Sequence, residues 1–234
     1  MRRIAIAGVL VILAAATAGW YYRPQLQRIV ESLFPERPWV DPGKGAFKKG
    51  DLEVRFFSST SGDGHPVELI QLLKPFGYTD SRGVEWDVPE GYISDGASIP
   101  EWLWTALGGP YSGRYRDAAV IHDFYCREKT RKWQDVHMVF LEAALNRGTA
   151  VSLANTMYSG ILFGGPRWEL QNAGVLGSGV MKAQLIPTQS SKPAPSGKTD
   201  KEAFDELKAW IERDKPTLEQ IRKRVEEIRK AQKK

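Results

Sequence analysis

Ala118-Ala119-Val120-Ile121-His122-Asp123-Phe124-Tyr125-Cys126 is an apolar run interrupted by one imidazole and one carboxylate. It reads as the middle of a helix over about 115–127, in the half of the chain where the apolar period has lengthened from two to that of a helix. Upstream, residues 52–56 and 84–88 alternate with period two, and residues 68–73 form a weaker apolar strand. Turn-rich clusters at 58–66 and 79–83 separate them, as in a small antiparallel sheet. From Gly91 the pattern is helical. Ser98-Ile99-Pro100-Glu101 is a capping box with proline in the first turn and opens a helix through Leu107. Further helices are expected over about 133–146 and 151–163, each stopped by glycine. The expected fold class is therefore α+β, a small antiparallel sheet followed by a helical core.

The flanks carry different signals. Met1-Arg2-Arg3 precedes the uncharged segment 4–22, close to the ~20 residues a membrane-spanning helix needs. Basic residues before an apolar run are also the layout of a signal peptide, and Ala16-Thr17-Ala18 offers a cleavage site. Trp20-Tyr21-Tyr22 followed by Arg23 suits a retained anchor. Both outcomes stay open: a membrane-anchored protein with its globular part periplasmic or otherwise extracytoplasmic, or a secreted one. The expected organisation is a signal anchor or signal peptide at 1–22, a juxtamembrane helix and linker at 23–50 and a globular domain at 51–182. A disordered linker at 183–199 and a charged amphipathic helix at 200–234 follow. That C-terminal helix places Phe204, Leu207, Ile211, Leu218, Ile221, Val225 and Ile228 at helical spacing, with a break at Pro216. The net charge of +5 is concentrated near this end and does not mark a nucleic-acid protein. The expected partners are membrane lipid and a protein bound through the C-terminal helix. The single cysteine, Cys126, rules out an intrachain disulfide.

His65 belongs to a Ser-Gly-Asp-Gly-His-Pro turn and reads as a solvated loop residue, and His137 beside Asp135 as a surface residue of its helix. His122 differs, because an imidazole and a carboxylate inside an apolar helix must find partners. Ala118, His122 and Cys126 fall in one row, with Asp123 on a neighbouring face. A short loop at 128–132 makes the next helix an antiparallel neighbour, so a His122–Asp135 hydrogen bond is within easy reach. That is the base-and-orienter arrangement of general-base catalysis. Asp123 is then free to ligate a hard cation, with Asp95 of Ser94-Asp95-Gly96 as a second oxygen donor. The plainer alternatives are a hydrogen-bonded core histidine and a tight Asp-Gly turn. Trp102, Trp104, Trp133 and Trp168 suit either core positions or a lipid-facing cleft.

Two resemblances attach to these residues. Residues 88–100, ending in Asp95-Gly96-Ala97-Ser98-Ile99-Pro100, followed by Ala118-Ala119-Val120-Ile121-His122-Asp123, resemble the domain-of-unknown-function family 1353 of bacteria and phages. The helical half is similar to bacterial secreted phospholipase A2, with His122-Asp123, then Asp135 with Val139-Phe140, then Met157-Tyr158 with Phe163-Gly164. This second resemblance implies His122 as base, Asp135 as orienter and Asp123 as a calcium ligand polarising an ester. The chain departs from it in lacking disulfides, in placing Cys126 where tyrosine is usual, and in lacking a glycine-rich calcium loop before the helix. Three readings are carried forward. One is a membrane-associated, metal-dependent lipid or ester hydrolase, phospholipase A2-like with calcium under the second resemblance. Another is a non-catalytic membrane-anchored interaction or scaffold protein whose C-terminal helix binds a partner. The third is a different hydrolase, for which a Ser98–His122 pair is conceivable although Ser98 is well explained as an N-cap.

Overall fold

The computed structural model describes residues 40–60, 66–94, 113–170, 185–186 and 198–232. These all belong to the compact unit Pro38–Lys234; the other unit, Met1–Arg37, lies outside the described residues. So do the apolar segment 4–22, His65, Asp95 and the capping box at Ser98 with Trp102 and Trp104.

Two small antiparallel sheets precede the helices, where a single sheet was expected. One joins β1 (Ala46–Lys48), β4 (Phe76–Thr79) and β5 (Glu85–Val88) in the order β1-β4-β5. The other joins β2 (Val54–Thr60), β3 (Pro66–Leu72) and β6 (Ile93–Ser94) in the order β2-β3-β6. β1 and β4 escape a period-two reading for physical reasons. β1 is three residues long, and Phe76, Gly77 and Tyr78 of β4 are all buried, so nothing alternates. A Cβ at Gly77 would meet the Asp87 carboxylate across the β4–β5 pair and push it aside. A further two-stranded pairing joins β7 (Glu169–Leu170) to β8 (Leu185–Ile186).

Three helices form the centre of the fold: α1 (Arg116–Glu128), α2 (Trp133–Asn146) and α3 (Val151–Gly164). Lys129 adopts the left-handed conformation (φ 52°) and returns its N–H to the Tyr125 carbonyl, closing α1. α1 packs on α2, and α2 on α3. α2 is buried at every position from Val136 to Ala144. A polar side chain inside that span needs a partner. Glu142 finds several: its carboxylate accepts from Tyr78 Oη (2.9 Å), Ser81 N (2.8 Å), Ser81 Oγ (2.8 Å) and Asp41 N (3.4 Å). This buried carboxylate fastens the β1-β4-β5 sheet to α2.

The C-terminal region is two helices that meet at Pro216. α4 (Lys198–Asp214) ends at Lys215, which is left-handed (φ 46°), and Pro216 prevents continuation. Thr217 and Gln220 then form a reciprocal capping box that starts α5 (Leu218–Gln232). Both helices pack on α3, burying Phe204, Leu207, Ile211, Ile221 and Val225. Their apolar stripe is therefore consumed within the fold. No helix among the described residues is long and apolar enough to cross a membrane, which removes the membrane helix from the expected fold class; the segment 4–22 where it was expected lies outside the described residues.

Candidate functional site

His122 and Cys126 lie four residues apart on α1, which puts them on one face turned toward α2. That face meets His137 of α2. His122 Nε2 lies 3.0 Å from His137 Nδ1, and Cys126 Sγ lies 3.5 Å from His122 Nε2. The ring planes are tilted by 40° with centroids 5.1 Å apart, so the nitrogens converge edge to edge. All three side chains are buried, His122 at 1% exposure. Phe140 closes over His122, while Trp133 and Trp168 flank His137. Trp168 is fully buried and donates its indole N–H to the Arg131 carbonyl, a core position and not a lipid-facing one.

Burial sets the charge state. His122 is pushed down to about 3 by desolvation of its charged form. His137 is held well below the ordinary histidine range, first by burial, then by the charges of His122, Arg167 and Arg229. The Pro166 carbonyl acts the other way and favours a proton on His137, although His137 Nε2 has no partner in hydrogen-bond geometry. Both rings are therefore neutral at pH 7, one donating and one accepting in the His122–His137 bond.

The residues singled out from the sequence are distributed differently from the expected dyad. Asp135 receives Arg82 Nη1 at 3.1 Å and is one-third exposed. Arg82 also pairs with the buried Asp80, which in turn accepts Trp86 Nε1. The ring partner of His122 is thus His137, where Asp135 was anticipated. Asp123 turns to the sheet: Tyr92 Oη and Ser94 Oγ both donate to its Oδ2, at 2.8 and 2.7 Å. Its partner for calcium, Asp95, is outside the described residues. Calcium prefers about 6–8 oxygen donors, and the cluster around His122 supplies nitrogen and sulfur.

His137 is the residue the sequence reading misplaced, since it is completely buried and not at the surface. Its neighbourhood held the clue. Val136-His137-Met138-Val139-Phe140-Leu141 leaves no polar face for a helix to turn outward, so any histidine within it must be internal.

Residues 70–161 match the model of a family described as Protein of unknown function (DUF1353). That span runs from β3 to α3 and includes His122, Cys126, Asp135 and His137. Two curated relatives come from Sinorhizobium fredii (strain NBRC 101917 / NGR234). Uncharacterized protein y4jT is 38% identical over 135 residues, covering 58% of this chain and 37% of the relative. Uncharacterized protein y4iH is 40% identical over 99 residues, covering 42% of this chain and 41% of the relative. The chain thus spans less than half the length of the curated relatives it matches. No solved structure matches. The resemblance to phospholipase A2 finds no support in these matches.

Proposed function

We infer that the globular part of this chain is a protein-binding module and not an ester hydrolase. The observation that carries this reading is the condition of His122. A general base needs a nitrogen that can reach water and hold a proton, with a group behind it to stabilise the charge. His122 is sealed at 1% exposure, its affinity for protons is strongly depressed, and its ring partner is another neutral imidazole.

The surface that suits binding is the cleft between β2–β3 and α1. Phe56 is 56% exposed at its lip, and Leu52, Val54, Ile70 and Val120 line it, with Arg116 alongside. The cavity of about 70 Å³ is sized for one small apolar side chain of a partner protein. Among the described residues β2 lies at the edge of its sheet, a common place for another chain to align. The relatives support a modular role, since the matched region occupies a minority of each.

Two measurements on one preparation test the reading. Phospholipid vesicles and soluble esters, incubated with the full chain in calcium or in chelator, should release no acid above the rate of His122→Ala. Release that His122→Ala abolishes would establish a hydrolase instead. A photo-crosslinking residue at position 56 should give a discrete protein adduct in cells, and the same residue at the exposed position 90 should not. Absence of any adduct specific to position 56 would sink the binding surface.

A further inference from the structure

His122, Cys126 and His137 share a feature that neither hydrolysis nor docking uses. Three different donor groups, drawn from two helices, point their ligand atoms at one spot in the core, all within 4.8 Å of one another. We propose that this is a metal site for a thiophilic d10 cation, Zn²⁺ or Cu⁺, bound by His122 Nε2, Cys126 Sγ and His137 Nδ1.

The distances fit. Bonds of about 2.0–2.1 Å to imidazole and about 2.3 Å to sulfur place the donors of a tetrahedral centre about 3.3 Å (N to N) and about 3.5 Å (N to S) apart. The spacings here are 3.0 Å between the imidazole nitrogens and 3.5 Å between nitrogen and sulfur. Cys126 Sγ and the His137 ligand atom lie within 4.8 Å of each other, so binding requires the rings to part by a few tenths of an ångström and the thiol to settle at about 3.5 Å from His137 Nδ1. The i, i+4 placement on α1 presents two donors from one helix face, as chelating pairs on helices do.

The donor chemistry selects the ion. Nitrogen and sulfur without a carboxylate favour Zn²⁺ and Cu⁺ over calcium or magnesium. Imidazole binds metal in its neutral form, and the His122–His137 contact already turns one nitrogen of each ring toward the other. The second ring nitrogen of His137, Nε2, lies beside Gly165, on the side of the ring away from the cluster. A proton on Nε2 leaves Nδ1 with a bare lone pair aimed into the cluster. On binding, His122 moves its proton from Nε2 to Nδ1 and the Cys126 thiol releases one, so one proton leaves per metal. Zn²⁺ needs a fourth donor to complete its tetrahedron, whereas Cu⁺ is satisfied by three and leaves a neutral centre with the thiolate. The surrounding aromatics, Phe140, Trp133 and Trp168, keep the site dry.

The test uses the untagged full chain, loaded both in its native state and during refolding, so that slow entry into a closed core cannot hide a site. Co²⁺ serves as the spectroscopic probe for Zn²⁺, and chelator competition without oxygen measures Cu⁺. The expected result is one metal per chain, a sulfur-to-cobalt charge-transfer band, one proton released and a raised melting temperature. Cys126→Ser should abolish the band, and His137→Asn should abolish tight binding, while circular dichroism of both metal-free variants matches the wild type. No binding of either ion under both loading regimes would overturn the proposal. So would binding without a thiolate band, or binding that survives Cys126→Ser unchanged. Should a variant fail to fold, the wild-type stoichiometry and thiolate band decide alone.

Discussion

Acidifying the metal-free chain from pH 7.5 to 5.5 should destabilise it steeply, and the size follows from the two buried histidines. In the unfolded chain each imidazole takes up a proton as the pH falls through about 6.5. In the folded chain His122 does so only near 3, and His137 well below its ordinary value. Protons therefore bind the unfolded state preferentially. The stability the pair contributes is intact above about 6.5 and is lost progressively as the pH falls toward the folded values. One unit below 6.5 the cost is about 1.4 kcal/mol per histidine, or about 3 kcal/mol for both. The neighbouring charges reinforce the sign, since Arg167 and Arg229 disfavour a second positive charge on His137. Asp80 does not confuse the window, because its pKa is lowered: burial alone would raise it, but hydrogen bonds from Arg82, Trp86 and Val84 prevail. Urea unfolding followed by tryptophan fluorescence in chelator, at pH 7.5, 6.5 and 5.5, measures the effect, and His122→Gln should remove about half of it. A His122–Asp135 ion pair predicts the opposite, a raised histidine pKa and a chain that gains stability on acidification. A flat or rising profile would refute the sealed, neutral pair.

Other perturbations probe the frame around the site. Glu142→Ala strands buried donors on Tyr78 and Ser81, and should cost about 3–5 kcal/mol in chemical denaturation; a loss under about 1 kcal/mol would mean water replaces the carboxylate freely. At high pH the sign reverses from the histidine case. Tyr158 is pushed up to about 12 by burial, and Tyr78 is raised further by burial and by Glu142, so their contribution is intact below about 10 and is lost above it. Tyr158→Phe should flatten the alkaline loss measured by urea midpoint. Asp135→Asn removes one partly exposed ion pair and should cost under about 1 kcal/mol. If it also alters the acid profile described above, Asp135 reaches His122 in solution.

The helices were legible because their stops are local. Gly148 and the Gly164-Gly165-Pro166 run end α2 and α3 where composition says they must, and Pro216 divides the C-terminal helices at a residue that cannot donate a hydrogen bond. The second sheet was not legible, since β1 and β4 depend on each other: Phe47 is ordered by Tyr78 across the pair, and neither strand carries the pattern alone. The site divides the same way. The His122–Cys126 row follows from helix geometry and could be drawn in advance. Which residue of α2 faces that row depends on the rotation of one helix against another, and Asp135 and His137 lie two positions, or about 200°, apart on that wheel. Charge complementarity favoured the carboxylate; packing selected the imidazole, because α2 turns Asp135 outward to Arg82.

The His-Asp dipeptide illustrates why such a pair is weak evidence for catalysis. Adjacent residues on a helix diverge by about 100°, so they serve different neighbours. Here His122 reaches across to α2, while Asp123 reaches back to β6 through Tyr92 and Ser94. One dipeptide thereby joins three elements, and Ser94 is the last described residue before the Asp95-Gly96-Ala97-Ser98-Ile99-Pro100 string. The Ser94–Asp123 bond holds β6 beside the middle of α1. A metal at His122, Cys126 and His137 would brace the other side of the same turn. Asp123→Asn and Cys126→Ser should then uncouple: the first loosens β6 while leaving cobalt binding intact, and the second removes the thiolate band while leaving the Tyr92–Asp123 contact in place. Loss of cobalt binding in Asp123→Asn, with the fold retained, would show that the two sides form a single site.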